Sequence, residues 1–263
     1  MSTRPLILLS NDDGVHAEGV RALRSALMTF ADVFTVAPEH EQSATSHRIT
    51  LSAPLRHRDL GDQLHAVDGT PADCIYVALI LKGLLPRRPD LVVSGINHGF
   101  NLGMDVVYSG TVAAAREGAL RGIRALAISA DPRAQMAKVA EHATGLVARA
   151  LIPNLPESAT SPPLLLNVNY PKDAPRGVLA TRLGRRDYED TVEARTDPRG
   201  RSYYWIGGAV SAHDTVDGAD TTAVDNGFVS ITPLSLEMTQ PAHFEAVQRI
   251  AGAAPERPGE GSP

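Results

Sequence analysis

A chain of 263 residues with a formal net charge of −5 and 43% hydrophobic residues has ample length for a core, and it offers no basic footprint for nucleic acid or an anionic membrane. Its one cysteine, Cys74, excludes an internal disulfide framework and a Cys-rich zinc site. No apolar stretch approaches the roughly 20 residues of a membrane-spanning helix, and the polar opening Met1-Ser2-Thr3-Arg4 lacks leader-peptide character, so a soluble cytoplasmic protein is expected.

The first apolar run, Pro5-Leu6-Ile7-Leu8-Leu9, is too short and too uniformly apolar for an amphipathic helix, and predicts a buried strand over residues 6–9. Ser10-Asn11-Asp12-Asp13-Gly14 then ends it with turn chemistry. A helix follows over 18–30, with Val20, Leu23, Leu27 and Phe30 at helical spacing. Strands at 33–37, 91–94, 125–129 and 164–168 alternate with helices at 72–84, 112–121 and 135–150. That alternation predicts an α/β fold, a Rossmann-like, mostly parallel sheet flanked by helices. Residues 49–67 interrupt it with short alternating pieces that suit a β insertion.

Beyond Gly184 the character changes. Two charged stretches, 185–190 and 197–201, flank a turn, and Ser202-Tyr203-Tyr204-Trp205-Ile206 reads as one arm of a β-hairpin. Such an arm either protrudes as a subunit contact or folds back onto its own domain, and both readings stay open. A further strand at 227–234 ends at Pro233, and the last dozen residues, rich in Pro, Gly and Glu, predict a disordered tail. The expected organisation is an α/β core over 1–183, a β-rich hairpin and oligomerisation region over 184–236, and a C-terminal helix with flexible tail over 237–263.

Open α/β sheets place ligands at the carboxyl ends of their strands, and four polar segments follow predicted strands. The first is Asp12-Asp13, where two like charges about 4 Å apart repel by roughly 4 kcal/mol at an effective dielectric near 20. A dication between them turns that cost into binding, and hard oxygen ligands suit Mg²⁺ or Mn²⁺. An ordinary solvated turn has the same residues. The second is the loop 38–46, in which the Ser43 hydroxyl could reach a metal or a phosphate oxygen. The third is Ser94-Gly95-Ile96-Asn97-His98-Gly99-Phe100-Asn101-Leu102-Gly103, whose glycines let backbone amides approach an anion. The fourth is Tyr108-Ser109-Gly110-Thr111, which opens an Ala-rich helix and offers either a phosphate site or a plain N-cap. Together they suit metal-assisted phosphoryl transfer to water.

These residues resemble the SurE family of survival-protein nucleotidases. The resemblance rests on 10–14, Gly69-Thr70-Pro71-Ala72-Asp73-Cys74, Ser94-Gly95-Ile96-Asn97 with Gly99, Asn101 and Gly103, Tyr108–Val112, Tyr203–Gly208 and Val229–Leu234. Asp220 resembles part of a further family motif, which carries Thr before that Asp. The family implies a divalent-metal phosphatase acting on nucleoside monophosphates by metal-activated water: a 5'-nucleotidase, with 3'-nucleotidase and exopolyphosphatase activity left open. It implies one Mg²⁺ or Mn²⁺ per subunit on Asp12, Asp13, Ser43 and Asn97, with Asp12, Asp13 and Asn97 catalytic. It places phosphate and substrate contacts on Asn11, Gly99, Asn101, Ser109, Gly110 and Thr111. A homodimer or homotetramer exchanging hairpin and C-terminal segments is also implied. Two departures stand out: Glu39-His40-Glu41-Gln42 replaces an Arg/Asn-rich run, and Ala113 stands where Gly is common.

Other residues are assigned blander roles. His16, His40 and His98 read as surface or packing groups, Cys74 as a core residue, and Arg185, Arg186, Arg199 and Arg201 as solvated charges. A haloacid-dehalogenase-type phosphoacceptor would need an Asp two positions after Asp12, where Gly14 stands. A signalling receiver would need an Asp at the end of the 91–94 strand, which has none. A non-catalytic nucleotide-binding module remains as a different class.

Overall fold

Uniform apolarity in the first run is explained by burial on both faces of a sheet. In a computed structural model describing residues 4–153, 155, 162–189, 191–208, 210–213 and 215–252, β1 (Leu6–Ser10) is buried along its whole length. It is followed by α1 (Glu18–Leu27), β2 (Asp32–Pro38), β3 (His57–Asp59), β4 (Leu64–Val67), α2 (Pro71–Ile80) and β5 (Leu91–His98). Next come α3 (Gly110–Leu120), β6 (Ala125–Ala130), α4 (Met136–Ala150) and β7 (Leu165–Tyr170). The last third holds β8 (Val178–Ala180), β9 (Arg186–Tyr188), β10 (Thr191–Thr196), β11 (Ser202–Gly207), β12 (Val210–His213), α5 (Asp220–Asp225), β13 (Val229–Pro233) and α6 (Phe244–Ile250).

Nine strands form the central sheet in the order β3-β4-β2-β1-β5-β6-β7-β13-β8. The run β4-β2-β1-β5-β6-β7 is parallel throughout. Numbered by appearance, it reads 3-2-1-4-5-6, the dinucleotide-fold order, whose direction of progress reverses between β1 and β5. The mostly parallel α/β expectation is therefore borne out. Antiparallel pairing is confined to β3 on β4 and β13 on β7 in this sheet.

Side-chain alternation along β1 divides the core between two faces. Ile7 and Leu9 pack with Val20, Leu23 and Leu27 of α1 and with Val139, Ala143 and Leu146 of α4. Leu6 and Leu8 pack instead with Cys74, Ile75 and Ala78 of α2 and with Val112, Ala115 and Ala119 of α3. Thr70 and Asp73 form a reciprocal capping box at the start of α2, with Pro71 in its first turn. Among the described residues no helix is long and apolar enough to cross a membrane.

Three expectations change. The strand at 91–94 runs on to His98 through a register shift between Ser94 and Asn97, so half of the expected Gly/Asn loop belongs to the sheet. Gly95 makes this possible: its φ is +133°, and a Cβ there would lie 2.2 Å from the Ile128 carbonyl oxygen. The segment 49–67 is not a separate insertion, because β4 joins the central sheet parallel to β2 and β3 merely adds an edge. Helix α2 stops at Ile80, since Leu81 is extended and Gly83 turns with a φ of +86°.

The hairpin is formed by β10 and β11, paired from Thr191 with Gly207 to Thr196 with Ser202. Every residue of both strands is exposed, so the arm projects rather than folding back. At its base β9 pairs with β12, and β13 then returns the chain to the central sheet against β7. Helix α6 is exposed throughout, and the expected tail lies, beyond Gly252, outside the described residues.

Candidate active site

The reversal between β1 and β5 is where an open α/β sheet leaves a crevice at its carboxyl rim. Asp12 and Asp13 follow β1 there, and Asn97 stands near the end of β5. The backbone N–H of His98 donates to Asp13 Oδ2 at 3.2 Å, tying the two strand ends together. Asp12 is buried, and its Oδ1 accepts the Thr111 hydroxyl from the first turn of α3. Gly110 allows this approach, because a Cβ there would meet Asp12 Cβ at 2.9 Å and Pro71 Cγ at 3.1 Å. Asn11 is buried and donates to the Gly14 carbonyl at 2.9 Å, which shapes the turn. The Ser43 loop is pinned by Gln42 N–H donating to the Asp12 carbonyl at 2.7 Å and Ser46 N–H to the Tyr108 carbonyl at 2.9 Å. The exposed Ser43 hydroxyl donates to Glu41 at 2.7 Å.

Burial pushes the Asp12 carboxyl up to about 6; the Thr111 hydroxyl pulls the other way, and the Asp13 charge raises it further. Asp13 is also raised, by burial first and by Glu41 in part, against the lowering effect of His98. Neither carboxylate has an ion-pair partner among the described residues. Asn97 donates its side-chain N–H to the Gly99 carbonyl at 2.8 Å, leaving its side-chain oxygen for another partner. Two uncompensated carboxylates with a hydroxyl and an amide oxygen form an all-oxygen donor set, which fits a hard divalent cation. Among the described residues no group of three His, Cys, Asp or Glu side chains is placed to hold a metal. Any metal here must therefore draw on Ser or Asn as well.

Beside the carboxylates, Ser109 caps α3 by accepting from the Val112 N–H at 3.0 Å and lines the cleft itself, which sets the positive end of the helix beside it. The Thr111 hydroxyl, expected on the phosphate side, is given to Asp12 instead. Asn101 is gripped by residues the sequence reading missed. Its N–H donates to Asn169 Oδ1 at 2.8 Å, its carbonyl accepts from Asn167 at 2.7 Å and Asn169 at 3.0 Å, and its side chain donates to Ser129 at 2.8 Å. The available signal was two asparagines at i and i+2 in an otherwise apolar strand, a spacing that puts both on one face. Asp73 was also missed: besides capping α2 it accepts Thr50 N–H at 2.8 Å and the Thr50 hydroxyl at 2.7 Å.

A cleft of about 910 Å³ gathers Asp12, Asp13, Ser43, Asn97, Gly99, Asn101 and Ser109. Phe100, Tyr108, Met136 and Tyr188 line it too. Its volume suits a ligand of nucleotide size. Asn11, Gly110 and Thr111 lie behind this surface, buried. Arg186, expected as a solvated charge, pairs with Asp105. Burial and the hydrogen bond to Asp105 push the Tyr188 phenol up to about 12, so it stays protonated. Cys74 is fully buried, and burial holds its thiol far above the usual range, which suits packing and not nucleophilic chemistry.

Comparison with known proteins agrees with this arrangement. The family profile described as survival protein SurE matches residues 7–190. The 5'-nucleotidase SurE of Sorangium cellulosum is 54% identical over 241 residues, 91% of this chain and 93% of its own length. That of Anaeromyxobacter sp. strain Fw109-5 is 48% identical over 250 residues, covering 92% and 94%. The crystal structure of the SurE protein from Aquifex aeolicus superposes with a TM-score of 0.80 at 38% identity, covering 94% of this chain and all of that one. With a Rossmann-like sheet, an acidic pair at its reversal point and relatives matched over nearly their full lengths, this chain belongs to the SurE family.

Proposed function

We propose that the chain is a 5'-nucleotidase, a divalent-metal-dependent phosphatase that hydrolyses nucleoside monophosphates to nucleoside and phosphate. The observation that carries the reading is the Asp12-Asp13 pair beside the α3 N-terminus in one nucleotide-sized cleft. The name 5'-nucleotidase SurE, borne by relatives at 54% and 48% identity, supports the same activity.

Asp12, Asp13, Ser43 and Asn97 would hold one Mg²⁺ or Mn²⁺. When bound, such a cation neutralises phosphate charge and lowers the pKa of a water molecule. The chain's own residues position the rest. Thr111 orients the Asp12 carboxylate, and the clamp on Asn101 fixes the loop through Gly99 that faces the phosphate oxygens. Ser109 presents the positive end of the α3 dipole to those oxygens, which favours their negative charge as the ester bond breaks. Water supplies the new P–O bond, and the leaving 5'-oxygen takes up a proton to become the nucleoside hydroxyl. Positioning and charge neutralisation suffice for such a transfer, and no covalent nucleophile is needed.

The projecting arm supports a homo-oligomer. Val192, Tyr204, Trp205 and Ile206 are 66%, 65%, 61% and 89% exposed, a hydrophobic surface that a subunit contact would cover. Exchange of the arm and of exposed α6 within a dimer or tetramer, and a cytoplasmic location, belong to the same proposal. Phosphate release from a panel of nucleoside 5'- and 3'-monophosphates and polyphosphate, with Mg²⁺, Mn²⁺ or chelator, tests the activity. Turnover of 5'-monophosphates with metal, lost in Asp12→Asn, is expected; no release from any nucleotide in any metal overturns the reading.

A further inference from the structure

The cleft has two chemically different linings: oxygen donors from Asp12, Asp13, Ser43 and Asn97, and an apolar set comprising Phe100, Tyr108, Met136 and Tyr188. Tyr188 is the best anchored of the three aromatic side chains in that set. Its hydroxyl donates to Asp105 Oδ1 at 2.7 Å, Arg186 Nη1 donates to Asp105 Oδ2, and the Arg186 guanidinium lies 5.5 Å from the Tyr188 ring centroid.

The two segments that meet here share a support. Asp220 accepts the Gly103 N–H at 3.0 Å, at the start of the turn carrying Asp105, and the Gly184 N–H at 2.8 Å, just before β9. Both sides of the anchor are therefore referenced to one buried carboxylate. With its hydroxyl engaged by Asp105 and one face of its ring under Arg186, Tyr188 has the other ring face left to offer a ligand, and the residue remains 40% exposed. A fixed aromatic face in a cleft that takes a phosphate ester is suited to a flat, π-rich substituent on that ester.

We propose that Tyr188 determines substrate specificity by stacking on the nucleobase, with Asp105 and Arg186 as positioning residues. This rests on the reading of the carboxylate lining as the phosphate site. Stacking reads a π-face without hydrogen-bond discrimination, so purine and pyrimidine nucleotides are both accepted. The base of the hairpin then serves recognition in its own subunit, with Ile206 of the arm on the same cleft lining.

Steady-state kinetics and product inhibition of the full-length protein with Mn²⁺ separate the two halves of the cleft. For Tyr188→Ala the KM for nucleoside 5'-monophosphates and the inhibition constants of adenosine and cytidine are expected to rise about tenfold. Inhibition by inorganic phosphate should not move. Tyr188→Phe keeps the ring but frees it from Asp105, and Asp105→Ala removes the acceptor from the other side; both should raise nucleoside inhibition constants by less than Tyr188→Ala. Unchanged nucleoside inhibition in Tyr188→Ala, or equal weakening of nucleoside and phosphate, overturns the proposal. Absence of phosphate release from the wild-type protein is a different result, which removes the nucleotidase reading and the proposal with it.

Discussion

The Thr111 hydroxyl donates to Asp12 Oδ1 across 99 positions of sequence, so the first turn of α3 holds the carboxylate that follows β1. Thr111 is fully buried, and among the described residues its hydroxyl donates to Asp12. Thr111→Val keeps the shape and removes the donor. Mn²⁺ affinity, measured by titration, should weaken about ten- to a hundredfold, with a parallel loss of phosphate release, since a hydrogen bond to a charged group contributes about 1.5–3 kcal/mol. Unchanged metal affinity would show that Asp12 needs no such support.

The same contact requires Gly110. A methyl group there meets Asp12 and Pro71 inside normal contact distance, so Gly110→Ala must push α3 away from β1. We expect destabilisation of about 1–3 kcal/mol, the usual range for overpacking, in urea unfolding. Phosphate release should fall at least tenfold even where the protein stays folded.

Asp73 accepts hydrogen bonds from Thr70 N–H, Thr50 N–H and the Thr50 hydroxyl while almost wholly buried. Asp73→Ala leaves these donors unpaired and removes the α2 capping box. A loss of about 2–4 kcal/mol is expected from the combined cap and hydrogen-bond costs. Thermal unfolding checks it. Metal affinity at low temperature should be nearly normal, because Asp73 stabilises the scaffold and does not touch the cleft.

Burial alone would raise the Glu117 carboxyl, but hydrogen bonds from His47 at 2.9 Å and Arg121 at 2.8 Å outweigh it and hold the group below its ordinary value. A folded pKa below the unfolded one means that the native state binds fewer protons. The stabilisation is therefore complete above the unfolded value, about 4.3, and is lost as pH falls through the folded value. Glu117→Gln should be less stable than wild type by about 1–2 kcal/mol at pH 7. Urea midpoints compared at pH 7 and pH 3.5 should show the gap closing at the acid end.

Much of the scaffold was legible because its signals are local. The uniform apolarity of Leu6–Leu9 and the helical spacing of Val20, Leu23 and Leu27 each act between residues that are neighbours along the chain. The rim position of Asp12, Asp13 and Asn97 follows from the same alternation, once strands are known to place their ligands at the carboxyl ends. The extension of β5 to His98 was not legible, because the glycine that allows it is also the residue most typical of loops.

Sequence by itself determined the α/β class, the short apolar strand before the acidic pair, and the alternating helices, since hydrophobic period and turn chemistry are properties of a few consecutive residues. Only the tertiary structure decided that Thr111 serves Asp12, that Asn167 and Asn169 grip Asn101 over 66 and 68 positions, and that Arg186 is spent on Asp105. Each depends on a pair of groups brought within about 3 Å by packing, and no local pattern of residues encodes which distant partner a buried donor will meet.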